Sequence, residues 1–452
     1  MPSRRTALRG LGVAFAGTVA GCLAGDGSGT PTDATDDSPS STRTDDDTSP
    51  STDDDTDGPD PPADATWTTD LDGRIGELHY YDGTLYAGTD ASTLVALDAG
   101  DGTVRWRFDA PNPVESLASG TGLLVADGTL CAVSGAFDGL HGQENRVHAL
   151  DPATGEERWT YAPDIAYEAF GLHGTADGAL FVGSNDDALS DEGDPTIALE
   201  TDTGAERWRI GTGDVSGIDP APETAVVGTQ SLFRGLATAD GGERWSVSVD
   251  EFGLLPPRVA GETAYVGASG GPLRAVALDD GAERWRLDGP VNSVLVGGDG
   301  GSGGEDAGTN PAGVFVGGRE VRHADPDGTV RWTADRSLLL ALLAGDRLLG
   351  YGESRVVSLS PDDGSVRWRA TPDGEYSRPV AVADGVVVTD DGRSSRLFGL
   401  DVDSGKRRWT FDPGVEETTG PVVGDGSVFV AEASELGGES EPGRVFARDL
   451  GE

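Results

Sequence analysis

The chain has 452 residues and a formal charge of −46, from 79 acidic and 33 basic residues, and it contains 69 Gly, 26 Pro, two Cys and one Met. A surface of that sign repels nucleic acid and anionic lipid headgroups, which excludes a nucleic-acid partner. Two cysteines, Cys22 and Cys131, cannot build a disulfide framework, and so much Gly and Pro describes many short elements joined by many turns, which favours β-structure over helix bundles.

Lys406 is the only lysine, so nearly all the basic charge is arginine. In dilute buffer so many like charges would oppose compaction, whereas at molar salt the Debye length falls to about 3 Å and the repulsion is screened. The composition therefore predicts a protein of a very salty medium, of haloarchaeal type.

At the N-terminus Arg4 and Arg5 precede an apolar run, residues 11–20, too short to cross a bilayer, which needs about 20 apolar residues. Paired arginines there resemble a twin-arginine export signal, and Val19-Ala20-Gly21-Cys22 resembles a lipobox, which makes Cys22 the expected lipidation site and new N-terminus. Residues 23–66 are dominated by Asp, Ser, Thr and Pro and cannot bury enough apolar area to offset ordering entropy. They predict a disordered acidic tether with a reach of roughly 35 Å. Within it Asp53, Asp55, Asp57 and Gly58 imitate the start of a calcium loop, but Asp64 stands where a Glu belongs and no flanking helix is readable, so the segment is low complexity. The expectation is a secreted protein held at the outer face of the membrane by lipid on Cys22 alone, with residues 67–452 as its folded part.

From residue 67 onward one pattern recurs eight times, a glycine followed four residues later by the tryptophan of an Arg-Trp pair. The copies are Gly102 with Trp106, Gly155 with Trp159, Gly204 with Trp208, Gly241 with Trp245, Gly281 with Trp285, Gly328 with Trp332, Gly364 with Trp368 and Gly405 with Trp409; Trp67 stands alone. Successive tryptophans lie 53, 49, 37, 40, 47, 36 and 41 residues apart, the period of a four-stranded propeller blade. Each interval holds strand-length apolar runs such as Thr84-Leu85-Tyr86-Ala87-Gly88 and Thr93-Leu94-Val95-Ala96-Leu97-Asp98, bounded by Asp-Gly or Thr-Gly turns, which predicts antiparallel hairpins. Adjacent on a strand, Arg and Trp must face opposite sides, so each last strand offers an apolar wedge to a neighbouring blade and a polar arm.

The run Leu-x-Ala-Leu-Asp-x-x-x-Gly-x-x-x-Trp at 94–106, repeated with Val147 in first place at 147–159, resembles the pyrroloquinoline-quinone (PQQ) type of propeller repeat. Quinoprotein dehydrogenases and the propeller lipoprotein of the bacterial outer-membrane assembly machine share that repeat. The resemblance implies an all-β, PQQ-like propeller of four-stranded antiparallel blades, eight in number, whereas counting tryptophan strands including Trp67 gives nine. It also implies ring closure by an N-terminal strand, with Trp67 joining the terminal strand at 445–449. Long polar insertions at 137–145, 185–195, 297–310 and 434–443 interrupt the repeat, and insertions of this kind map to loops that can form a binding face.

The catalytic relatives carry adjacent cysteines over the quinone and a calcium bound by carboxylate and amide oxygens; this chain has no adjacent cysteines and offers no matching ligand set. His79, His141, His148, His173 and His323 have no metal-site spacing, and the glycine-rich 300–304 lacks the lysine and helix of a phosphate cradle. Neither PQQ nor calcium is therefore expected as a cofactor, and no catalytic or metal-binding residue is assigned. The expected function is a monomeric, non-enzymatic surface scaffold that binds a protein or envelope component. The alternatives are a PQQ-dependent dehydrogenase of alcohols or sugars and a lipoprotein binding a small solute.

Overall fold

The computed structural model describes residues 62–451 except 116–119, 138–141, 164–168, 186–194, 230–231, 250–252, 298–311, 372–377, 391–394 and 434–441. Arg4, Arg5 and Cys22 and nearly all of the 23–66 segment lie outside the described residues, as do His141, the 300–304 glycines and the centres of the four long insertions. The described residues hold thirty-five strands and no helix, and every named strand pair is antiparallel. Hairpins start where the sequence supplies Asp-Gly: Asp82-Gly83, Asp127-Gly128, Asp177-Gly178, Asp384-Gly385 and Asp425-Gly426 all take positive φ at both residues, which matches the right-handed twist of the strands they join. The second strand of a blade is mostly buried, and Thr84–Thr89 is so throughout, because neighbouring blades cover both its faces.

The strands form eight hydrogen-bonded sheets, seven of four strands and one of seven. The seven-stranded sheet is two blades joined through one long strand, Glu283–Gly297. Its first half pairs with Gly271–Ala277 through Trp285, and its second half, from Val291, pairs with Gly313–Gly318. The first strands of successive units touch in a closed cycle of nine. Nine apolar clusters confirm the count, each built from two consecutive units and none from more. The literal repeat count of nine thus holds, and the eight blades implied by the family resemblance are corrected: a complete blade lies between Trp285 and Trp332. The core has no single centre and consists of layers between blades.

The ring closes through the expected strand. Trp67–Leu71 pairs with Gly443–Asp449, Trp67 opposite Ala447, as the fourth strand of the ninth blade. Thr66 N–H donates to Ala447 O at 2.7 Å, Asp449 N–H to Thr66 Oγ1 at 2.9 Å, and Arg444 pairs with Asp70. One blade is thereby stitched from both ends of the folded segment, so the ring closes with every blade complete and only short edges left.

Candidate functional site

In a four-stranded antiparallel blade the first-to-second and third-to-fourth connections leave one face of the ring. The second-to-third connection and the link to the next blade leave the other. The Gly-x-x-Arg-Trp turns are all third-to-fourth connections, so they occupy the first face. Three of the four long insertions, 137–145, 185–195 and 434–443, are second-to-third connections and share the opposite face; 297–310 joins the first and second strands of the sixth blade. The sequence located the insertions, but their shared face needed the strand order.

The repeat residues are structural. Each tryptophan lies over the glycine of the following repeat and donates its indole N–H to a carbonyl there: Trp67 on Gly102, Trp106 on Gly155, Trp159 on Gly204, Trp208 on Gly241, Trp245 on Gly281, Trp285 on Gly328, Trp332 on Gly364 and Trp368 on Gly405. Trp409 completes the series with a bond to Leu450 O. The preceding arginines reach back across their own blade. Arg105, Arg158, Arg207 and Arg408 pair with Asp98, Asp151, Glu200 and Asp401; the arginines hold the first three carboxyls below the usual range, and the Ser404 hydroxyl followed by Arg408 does so for Asp401.

A second set of polar side chains, unassigned by the sequence, links the first strands around the ring. Glu77 accepts from Gly122 N–H at 2.6 Å, Leu123 N–H at 3.3 Å and the Thr121 hydroxyl. His173 Nδ1 accepts from Ile218 N–H at 3.3 Å, Asp219 from Val259 N–H at 2.7 Å and Ser293 Oγ from Leu340 N–H at 2.7 Å. Each satisfies a backbone donor on the next first strand, whose inner edge has no ladder partner. The sequence carries no local signal for them, since these first strands hold other polar residues as well, His79 near Glu77, Ser216 near Asp219 and Asn292 beside Ser293. Burial is the main cause that pushes Glu77 up to about 7, and burial pushes His79, two residues along, down to about 4.

These opposite shifts give a testable pH dependence. A carboxyl whose folded pKa exceeds its unfolded value stabilises the fold fully below pH 4.5 and loses that contribution as pH rises through 7. His79 does the reverse, contributing above pH 6.5 and losing the contribution as pH falls toward 4. In Glu77→Gln the amide reproduces the neutral acid, donating to Thr121 and accepting from Gly122. The stability of the variant relative to the unmodified protein is expected to improve by up to about 3 kcal/mol between pH 4.5 and 8. Urea titrations at both pH values measure it, and a difference independent of pH contradicts the assignment.

One constellation has the form of a hydrolytic triad. Ser134 Oγ lies 2.9 Å from His148 Nε2, and His148 Nδ1 lies 2.8 Å from Glu157 Oε1. Ser134 is 0 % exposed and His148 3 %, so no substrate carbonyl reaches the hydroxyl. His148 and Glu157 also occupy the third- and fourth-strand positions that carry Arg234 with Glu243 and Arg274 with Glu283 in other blades. The pair is a cross-strand tie. Cys131 is buried and its thiol is pushed up to about 12, which makes it a poor nucleophile.

Among the described residues no three His, Cys, Asp or Glu side chains converge as metal ligands. Every tryptophan is committed to its interblade seat, so none is free to floor a planar quinone. The described residues do not fit PQQ with calcium, and no catalytic step is derived through that group.

Fold and repeat together define a β-propeller of the PQQ-like class. The pattern of the family described as outer membrane protein assembly factor BamB matches residues 60–162, 196–302 and 317–451, well over half of the chain, and the chain belongs to that family. The structure is similar to that of BamB from Moraxella catarrhalis, with a TM-score of 0.50 at 14 % identity over 85 % of this chain and 99 % of that one. It is also similar to a computationally designed protein, Ika8, with a TM-score of 0.52 at 13 % identity over 86 % of this chain and 100 % of that one. At such identities the likeness speaks for the fold alone. In sequence, the chain is 30 % identical over 162 residues to the dehydrogenase subunit of a quinone alcohol dehydrogenase of Komagataeibacter europaeus, covering 32 % of this chain and 21 % of that protein. It is 27 % identical over 178 residues to a lanthanide-dependent methanol dehydrogenase of Methylacidiphilum fumariolicum (strain SolV), covering 38 % of this chain and 27 % of that protein. The chain thus spans less than a third of the length of either curated relative.

Proposed function

We infer that this chain is a non-enzymatic propeller scaffold of the cell surface, anchored through lipid on Cys22 by an acidic tether and exported through the Arg4-Arg5 signal into a saline medium. It docks a protein or envelope component on the face that carries the second-to-third connections. The observation that supports this reading is the grouping of three long insertions on that face, while the described repeat positions serve the ring itself. Loops on a rigid ring are where recognition concentrates, because they vary without disturbing the layers between blades. A single scaffold per tether suits a monomer.

The partial likeness to quinone- and lanthanide-dependent dehydrogenases sets the test. The chain from residue 62 onward, purified in molar salt and mixed with PQQ and either calcium or a lanthanide, is expected to show no stoichiometric quinone absorbance and no dye-linked oxidation of alcohols or aldoses. Binding with turnover would overturn the scaffold reading in favour of catalysis.

A further inference from the structure

In a protein of charge −46, arginines are expected to be consumed by acidic neighbours, and most of the described ones are. Three are not. Arg336, Arg355 and Arg369 line one cleft of about 140 Å³, together with Ser337, Leu338, Gly352, Glu353 and Val357, and none of the three makes an ion pair among the described residues. The neighbouring Arg347 and Arg367 both take Asp346, and Arg347 also takes Asp403.

The fold brings the three together from separate elements. Arg336 and Ser337 belong to the link between the sixth and seventh blades, Arg355 starts the strand Arg355–Leu359, and Arg369 lies on Val366–Ala370 opposite Val357. Val357 packs into the layer between those two blades, so Arg355, two residues before it, and Arg369, across from it, share its face. Gly352, opposite Arg355, leaves the floor open: a Cβ there would stand 2.9 Å from Ser337 O, so only glycine lets the link lie against the hairpin. The hairpin turns through Glu353 at φ 50° and Ser354 at φ 61°, two residues in a conformation that L side chains rarely adopt. The cleft opens on the face that bears the second-to-third connections.

We propose that this cleft is a binding site for one dianionic tetrahedral oxyanion of the phosphate or sulfate class. Three guanidinium forks against the single carboxylate of Glu353 leave two positive charges, which match a dianion. Guanidinium groups bind such oxygens through paired N–H donors, a short-range geometry that persists when salt has screened the long-range repulsion of the surface. A free ion and a phosphate or sulfate group on a larger molecule present the same chemistry; the ions test the site, and a phosphomonoester with a bulky alcohol tests whether it admits the second source.

The full chain, titrated calorimetrically in molar potassium chloride, is expected to bind sulfate at one saturable site at pH 8 and pH 5. Phosphate, a dianion at pH 8 and a monoanion at pH 5, should bind comparably to sulfate at pH 8 and several-fold more weakly at pH 5. Arg355→Gln and Arg369→Gln, both at exposed positions, should melt as the unmodified protein does and bind sulfate at least tenfold more weakly, whereas Arg319→Gln, an exposed arginine outside the cleft, should bind normally. Non-saturating heats, unchanged binding in both cleft variants, or acetate binding as well as sulfate would each overturn the proposal.

Discussion

Trp208→Ala is expected to destabilise the ring by about 3–5 kcal/mol, the range for removing a large buried aromatic side chain. Trp208 is 7 % exposed, packs edge-on to Phe181, and donates its indole N–H to Thr238 O at 3.0 Å in the next blade. The substitution empties a layer between two blades, removes the shorter of the two hydrogen bonds that Thr238 O accepts and uncovers Gly241. The complementary change, Gly241→Val, attacks the same seat from the other side. Gly241 has φ 70°, and any Cβ would stand 2.8 Å from the Trp208 ring and 2.6 Å from Ile210. Loss of about 2 kcal/mol or more is expected there, from backbone strain and overpacking together. Because the two act on one contact, the double variant should cost clearly less than the sum. Chemical denaturation in molar salt reads all three; full additivity would mean that Trp208 and Gly241 act separately.

Removing the strand Trp67–Leu71 is expected to have the larger effect on cooperativity. Without it Gly443–Asp449 is left with an unpaired edge, Phe429 loses the Trp67 ring whose centroid lies 5.9 Å away, and Gly102 loses its cover. A chain starting at residue 73 should melt at markedly lower temperature, over a broader range, and self-associate through the exposed edge. A chain starting at residue 62 keeps the strand and should melt as the full protein does. Equal melting of the two truncations would show that the ring does not depend on this closure.

The architecture was legible because its determinants are local and repeated. Eight Gly-x-x-Arg-Trp turns announce the third-to-fourth connections by themselves, and Asp-Gly pairs announce hairpins through the positive φ they supply. The blade count depended on what was counted. Trp285 and Trp332 each mark a blade, and the literal sum was right, whereas the family's usual eight was misleading. What no period could reveal is that one strand, Glu283–Gly297, serves both units. The side-chain ties between blades were hidden for a different reason. Glu77, Asp219 and Ser293 act on backbone donors 40 or more residues away, across a blade boundary, so nothing in their own neighbourhood identifies them. The cleft arginines were hidden likewise, since Arg336, Arg355 and Arg369 meet only when the link and the hairpin of the seventh blade are placed side by side.

The claim that one face of the ring docks a partner is tested most directly by photo-crosslinking on intact cells. A photoreactive residue is placed at Glu320 or Glu416, exposed on the face with the second-to-third connections, and in parallel at Asp202 or Asp280, exposed among the Gly-x-x-Arg-Trp turns of the other face. The account predicts a discrete crosslinked species from the first pair and none from the second. Discrete crosslinks from Asp202 or Asp280 alone, or equally from both faces, would contradict it.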